Sequence, residues 1–255
     1  MSSISFIILS YNQCDNIIKI INSIVYSKID YELIIIDNNS TDNTSEKISN
    51  FCNSKNISYK FINNPIQKNQ SLSRNIGVKN ATKEYIYFVD GDDYLNSYFL
   101  NKMELNTDIV FIPRIAKDLD DDEYSININD IENQILYSSA VQGFYKKDIL
   151  IKYNIWHEEN KYFYYSEDLL FTALLFDKII SDRLQYSYIK NDYLYFGIKR
   201  ETSTPIDKND DMKKYYDDFY RYLIQKMNTV TGFVFVMDKI NNLIKELQQG
   251  ELCQN

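Results

Sequence analysis

Apolar residues fall along the first hundred positions in two alternating rhythms. Ile4 to Ser10, ISFIILS, is a continuous apolar run short enough for a strand covered on both faces. The next apolar residues, Ile17, Ile20, Ile21 and Ile24, recur at helical spacing. ELIIID, Glu32 to Asp37, predicts a second buried strand, and the Ser/Thr/Asp cluster opening STDNTSEKISNF suits the N-cap of a second helix. Ser58 to Ile62 predicts a third strand, Gln70 to Asn80 a third helix, and Tyr85 to Val89 a fourth strand. This alternation means βαβ units and a mainly parallel sheet, an α/β fold. Such sheets bind ligands beyond the carboxyl ends of their strands. Here those ends read Ser10-Tyr11-Asn12, Asp37-Asn38-Asn39-Ser40 and Asp90-Gly91-Asp92-Asp93, so the three polar clusters are expected on one edge.

Beyond about residue 105 the rhythm changes. DIVFIP reads as one more strand, KDLDDDEYS as an exposed loop, and SSAVQGFYKKDIL as a strand leading into a short helix. YYSEDLLFTALLFDKI places Ser166 before an apolar-periodic helix with Glu167 and Asp168 in its first turn, where the helix dipole favours negative charge. QYSYIKNDYLYFGIK predicts one or two strands and RETSTPIDKNDD a polar linker. The last stretch is mainly helical in pattern, with TGFVFV equally suited to a strand. The expected division is a first half over 1–105, a second half of the same domain over 106–205, and a helical C-terminal extension over 206–255.

Composition narrows the classes. A chain of 255 residues, 44% hydrophobic and 25% charged, is ordinary for a globular protein and argues against wholesale disorder. The net charge of -8 argues against a nucleic-acid partner held by a broad basic face, while leaving room for a local basic pocket. Cys14, Cys52 and Cys253 lie far apart and form neither a disulfide framework nor a zinc pattern. The first residues lack the basic, then apolar, character of a signal peptide, and no window approaches a membrane span. A cytoplasmic location is expected, with the inner face of a membrane as an alternative station.

The candidate chemistry starts at YIYFVDGDDYL. A buried-looking strand runs directly into Asp90, Asp92 and Asp93, like charges that call for a compensating cation. A hard divalent ion, Mn²⁺ or Mg²⁺, takes carboxylate oxygens and leaves positions open for a substrate diphosphate. The bland alternative is an Asx-type turn that ends the strand. The acidic run Asp118 to Glu123 also contains Asp-x-Asp, but a Pro and several polar residues separate it from its strand, and a solvated loop is the better reading.

FIILSYNQCDNIIKIINSI, ELIIIDNNSTDNT, NQSLSRNIGVKNATKEYIYFVDGDDYL and YSEDLLF fall in the order and spacing of the inverting family 2 glycosyltransferases of the GT-A fold. The chain resembles that family over roughly residues 4–205, most closely from Ser73 to Leu95. The resemblance implies a Rossmann-like GT-A domain that moves a sugar from a nucleotide diphosphate sugar, a UDP-sugar in the first place, to an acceptor hydroxyl with inversion. It implies that 1–105 is the nucleotide-sugar-binding half and 106–205 the acceptor-binding and catalytic half. It also implies that Asp92 and Asp93 face the metal and diphosphate, and that Asp90 supports the loop or meets the donor ribose, with Gly91 beside it in the donor-binding set. Tyr11, next to Ser10, would pack on the nucleobase, and Asp37 and Asn38 would read it. Many relatives carry Asp-Asp where this chain has Asp37-Asn38, which leaves the base open: the Asn38 amide offers either an acceptor or a donor. Arg74 would meet the donor phosphates or brace the loop, and Arg200 with Ser203 resembles a segment that closes over the diphosphate.

Of the Glu167–Asp168 pair, the resemblance implies that Asp168 is the general base, with Glu167 as the alternative and helix capping as the structural reading of both. His157, the single histidine, reads as structural or acceptor-side and not as a metal ligand. The implied acceptor is a saccharide or lipid-linked saccharide in surface polysaccharide or lipooligosaccharide synthesis. The C-terminal segment is expected to serve dimerisation or membrane-surface association, or else to cap the core. Two other readings are a catalytically silent nucleotide-sugar-binding subunit and a sugar-nucleotidyltransferase. The latter wants an N-terminal glycine-rich phosphate loop, and no glycine precedes Gly77.

Overall fold

The computed structural model describes residues 2–65, 70–112, 114–117, 123–125, 140, 143–157, 159, 167–188 and 195–198, together with 221, 222 and 225. The predicted series forms as β1 (Ser3–Ser10), α1 (Ile17–Val25), β2 (Asp30–Asp37), α2 (Thr44–Ser54), β3 (Lys60–Asn63), α3 (Gln70–Asn80) and β4 (Tyr85–Asp90). Ile17, Ile20, Ile21 and Ile24 are all fully buried, so the helical spacing read from the sequence is the face that α1 lays on the sheet. α2 starts later than the Ser/Thr/Asp cluster suggested. Its first residue, Thr44, donates its backbone N–H to Asp42 Oδ1 at 3.0 Å, so Asp42 satisfies an orphan donor from outside the helix.

The remaining described elements are β5 (Tyr94–Leu95), α4 (Ser97–Leu100), β6 (Ile109–Phe111), β7 (Arg114–Lys117), β8 (Glu123–Ser125), β9 (Gly143–Lys146), α5 (Lys147–Lys152), α6 (Glu167–Asp182), β10 (Tyr186–Tyr188) and β11 (Tyr195–Ile198). The main sheet has the order β10-β6-β9-β4-β1-β2-β3. β1, β2, β3 and β4 are mutually parallel where they pair, while β9 runs antiparallel between β4 and β6. The sheet is therefore mainly parallel, as expected, with one reversed strand. β9 leads directly into α5, which is the strand and short helix read from GFYKKDIL.

A second sheet, β5-β11-β7-β8, has no counterpart in the sequence reading. QYSYIKNDYLYFGIK divides between the two sheets, β10 joining the main one and β11 the smaller. The segment read as an exposed loop from Lys117 to Ser125 carries strand at both described ends, with Lys117 opposite Glu123 in an antiparallel pair. Strands of two to four residues leave almost no periodic signal, which is why pattern alone did not separate them from loop. The polar linker after β11 and nearly all of the C-terminal segment lie outside the described residues, although Arg221, Tyr222 and Gln225 are helical.

Register decides where the polar clusters go. Ser10 stands opposite Asp37, and Leu9 opposite Asp90. The last residues of β1, β2 and β4 thus lie at one level on one edge of the sheet, as predicted. Two glycines allow the surrounding elements to close on this edge. A methyl group added at Gly77 would sit 2.2 Å from Ile7 Cγ2, so α3 packs on β1 only because position 77 has no side chain. One added at Gly91 would sit 2.4 Å from the Leu9 carbonyl oxygen, which lets the loop after β4 lie flat on the end of β1.

Candidate active site

The β1 and β2 edge is tied together by short polar side chains. Asn38 donates its backbone N–H to the Ser10 carbonyl at 2.8 Å, extending the ladder past the last strand residue. Asp37, almost fully buried, accepts from the Ser40 N–H at 2.9 Å and from the Ser40 hydroxyl at 2.5 Å. Asn12 and Asn39 adopt left-handed backbone, with φ of 52° and 60°, a conformation that Asn tolerates better than most residues. Asn12 Oδ1 accepts from the Thr41 N–H at 2.9 Å, while the Asn12 N–H donates to Ser40 Oγ at 2.9 Å. These bonds place Tyr11, half-buried, on the turn above Ser10. The Ser10 hydroxyl is buried and meets no partner among the described residues.

Asn38 is also held from the other side. Its Oδ1 accepts from Asn64 Nδ2 at 3.1 Å and from the Ser73 hydroxyl, and Asn64 Nδ2 also reaches Ser73 Oγ at 3.0 Å. Burial around the Asp42–Thr44 turn would raise the Asp42 carboxyl, but the Thr44 hydroxyl and backbone N–H and the Cys14 N–H outweigh it and hold that carboxyl below its ordinary range.

Arg74 organises the other half of the site. It is 1% exposed, the largest fully buried side chain among the described residues. Its Nη2 lies 3.2 Å from Asp90 Oδ1 and its Nη1 3.1 Å from Asp168 Oδ1. One guanidinium therefore joins the end of β4 to the first turn of α6. A buried charge needs this pairing, since leaving it alone in a low-dielectric interior is costly. In this geometry Arg74 is buried and braces the end of β4 against α6. Asp90 and Asp168 keep about a third of their side-chain surface, at 29% and 30%.

The next residue, Asn75, takes hold of a distant segment. Its Oδ1 accepts the His157 N–H at 3.0 Å, and its Nδ2 donates to the His157 carbonyl at 2.8 Å and to Glu159 Oε1 at 2.8 Å. His157, 2% exposed, stacks on Phe171 of α6 at 4.3 Å with planes 4° apart and meets Phe88 of β4 edge-on at 5.3 Å. Burial, with the Arg74 charge added, holds its imidazole well below the ordinary range, so it is neutral at physiological pH.

Asp92 is half-buried and Asp93 only 4% exposed, and the Asp93 N–H closes the turn onto the Asp90 carbonyl at 3.1 Å. Among the described residues no three His, Cys, Asp or Glu side chains converge as a metal cluster. Glu167 opens α6, but its side chain lies outside the described residues, as do Arg200 and Ser203. The structure therefore brings together Ser10, Tyr11, Asp37, Asn38, Arg74, Asp90, Gly91, Asp92, Asp93 and Asp168.

Three contributors had no assigned role in the sequence reading, Asn64, Ser73 and Asn75, while His157, read as structural or acceptor-side, lies beside Asp168. A signal existed for two of them. α3 buries Ser71, Ser73, Arg74 and Asn75, a polar face where α1 buries four isoleucines. A helix that lays polar residues on a sheet is serving a site there, because buried polar groups need partners.

Comparison with known proteins gives the family and the fold. The family model for glycosyl transferase family 2 matches residues 5–171. The chain belongs to that family. It is 28% identical over 213 residues to the poly(ribitol-phosphate) beta-N-acetylglucosaminyltransferase TarP of Staphylococcus aureus strain N315, covering 77% of this chain and 62% of that protein. It is 24% identical over 215 residues to TarS of strain MW2, a protein of the same name class, covering 79% of this chain and 36% of TarS. The chain thus spans about a third to three fifths of the length of these relatives. The crystal structure of S. aureus TarS 1-349 in complex with UDP-GlcNAc superposes with a TM-score of 0.78 at 18% identity, covering 100% of this chain and 76% of that one. The mannosyltransferase PcManGT from Pyrobaculum calidifontis, in complex with GDP-Man and Mn²⁺, gives 0.59 at 12% identity over 92% and 68% of the two chains. The fold is GT-A.

Proposed function

We propose that this chain transfers a sugar from a nucleotide diphosphate sugar, with UDP-N-acetylglucosamine as the first donor to test, to a hydroxyl of a saccharide acceptor with inversion at the anomeric carbon. The observation that carries the reading is the Arg74 bridge. It holds Asp90, from which the Asp92-Asp93 loop suited to a diphosphate continues, and Asp168, suited to a proton, on one fixed guanidinium. The names of the TarP and TarS relatives and the UDP-GlcNAc in the TarS structure support the choice of donor.

Tyr11 offers a face for the base. The Asn38 Oδ1 is already taken by Asn64 and Ser73, so its amide N–H₂ is the group left for the base, a donor suited to a pyrimidine carbonyl. Asp168 takes the proton of the attacking hydroxyl, while Arg74 holds the carboxylate in place. The stacked rings of His157 and Phe171 pack beside that carboxylate.

A divalent cation fits the donor set. Asp92 and Asp93 supply hard carboxylate oxygens, Asp92 the more accessible, and with no third protein ligand among the described residues the diphosphate would complete the shell. Such an ion supplies charge neutralisation of the departing diphosphate. The test is UDP-GlcNAc turnover with a poly(ribitol-phosphate) or oligosaccharide acceptor, run alongside calorimetric UDP binding with Mn²⁺ and with EDTA. Donor-dependent product of inverted configuration is the expected result. UDP binding that is indifferent to EDTA removes the metal from the reading, and absence of transfer across UDP- and GDP-sugars overturns the reading itself.

A further inference from the structure

His157 is buried on every side and both of its ring nitrogens lack a hydrogen-bond partner among the described residues. Buried polar atoms are nearly always paired, and each exception calls for an explanation, a role in catalysis among them. The ring is not loosely held. Asn75 grips the His157 backbone from both sides, N–H and carbonyl, and Phe171 and Phe88 fix the ring plane. This support aims Nδ1 at Asp168 Oδ1, 3.8 Å away, too long for a hydrogen bond and close enough to become one by a small movement of α6 or of the carboxylate. Oδ1 already takes Arg74 Nη1, while Oδ2 of Asp168 accepts from no described residue.

We infer that His157 is a positioning residue for Asp168. The neutral imidazole presents an Nδ1–H that closes on Oδ1 when donor and acceptor are bound, so that Arg74 and His157 together occupy Oδ1 and leave Oδ2 as the oxygen that faces the acceptor hydroxyl. The opposite tautomer would point a nitrogen lone pair at a carboxylate, which is repulsive. The stack on Phe171 adds a coupling: Phe171 lies one turn after Asp168 on α6, so the ring and the carboxylate are located by the same helix. The dipeptide Arg74-Asn75 thereby sets the base from two directions, directly through the guanidinium and indirectly through the backbone of His157. The inference rests on the reading of Asp168 as the proton acceptor.

The chain carries a single histidine, so the untagged protein labelled with ¹⁵N-histidine gives one imidazole spectrum. At pH 7 the expected state is neutral with the proton on Nδ1, and the Nδ1 resonance should move in Asp168→Asn while Nε2 stays. A proton on Nε2 would overturn the inference whether or not any transfer activity has been found. In turnover, His157→Phe should keep UDP affinity and the acceptor KM while kcat falls by about 10- to 100-fold, the usual effect of a misplaced catalytic group. His157→Asn, whose amide N–H₂ lies near the place of Nδ1, should recover most of that loss. In an Asp168→Asn background the Phe substitution should cost nothing further. Equal losses for Phe and Asn, or an additive loss in the double variant, would make the ring a packing element only. Wild-type turnover in Asp168→Asn would instead dismiss the base assignment, and the tautomer would still report the contact.

Discussion

Arg74 Nη1 and Asp168 Oδ1 lie 3.1 Å apart although 94 positions separate them in the chain. The same guanidinium holds Asp90, so the two carboxylates that would serve donor and acceptor chemistry share one buried cation. A planar fork with several N–H donors can bridge two acids at a fixed angle, and a lysine ammonium cannot reproduce that geometry.

Arg74→Lys is therefore expected to fold with reduced stability and to lose most transfer. The lysine keeps a cation but cannot hold both carboxylates in this geometry, and losing a hydrogen bond to a charged group costs about 1.5 to 3 kcal/mol. Urea denaturation reads the stability and initial rates the transfer. Wild-type rates in the lysine variant would show that the bridge does not shape the site.

Asp168→Asn preserves an acceptor oxygen for Arg74 but removes the basic carboxylate. Turnover should fall by about 10²- to 10⁴-fold, the usual loss for a general base, with UDP affinity nearly unchanged because the group acts on the acceptor. A parallel fall in donor binding would move the role to Glu167.

Gly77→Ala tests the packing that brings Arg74 to the edge. The added methyl meets Ile7 Cγ2 at 2.2 Å inside a filled core, and overpacking of this kind costs about 1 to 3 kcal/mol, more than the roughly 1 kcal/mol by which Ala favours a helix. Pairing it with Ile7→Ala should destabilise by less than the sum of the two single changes. A more stable Gly77→Ala protein would contradict the close approach of α3 to β1.

Alkaline stability should depend on Tyr85. Its ring is buried, with Glu84 and Asp108 nearby, and its hydroxyl donates to the Thr107 carbonyl at 2.7 Å, so its pKa is pushed up to about 12. In the unfolded chain the phenol ionises near pH 10. The folded state then holds a proton that the unfolded state has lost, and stability falls as pH rises from about 10 to about 12. Two units correspond to about 2 to 3 kcal/mol. Tyr85→Phe should be less stable at pH 8, for want of that hydrogen bond, and should lose less stability across the same interval. Identical alkaline slopes in the two proteins would show that Tyr85 does not carry it.

The sequence by itself determined the sheet-forming core and the edge on which the site lies. Period and run length are local properties: four isoleucines at helical spacing have one way to be buried, and continuous apolar runs have one place in a parallel sheet. Because parallel strands end on the same side, the polar residues after β1, β2 and β4 had to meet. Local pattern contains no distances between elements, and there the tertiary structure decided. It made Arg74 a buried bridge, occupied the Asn38 oxygen with Asn64 and Ser73, and paired β5, β7, β8 and β11 into a sheet whose short strands carry no period. It also set His157 beside Asp168, a placement made by the two-sided grip of Asn75 on a backbone 82 positions away. Such contacts depend on packing geometry summed over the whole fold, and no spacing along the chain records them.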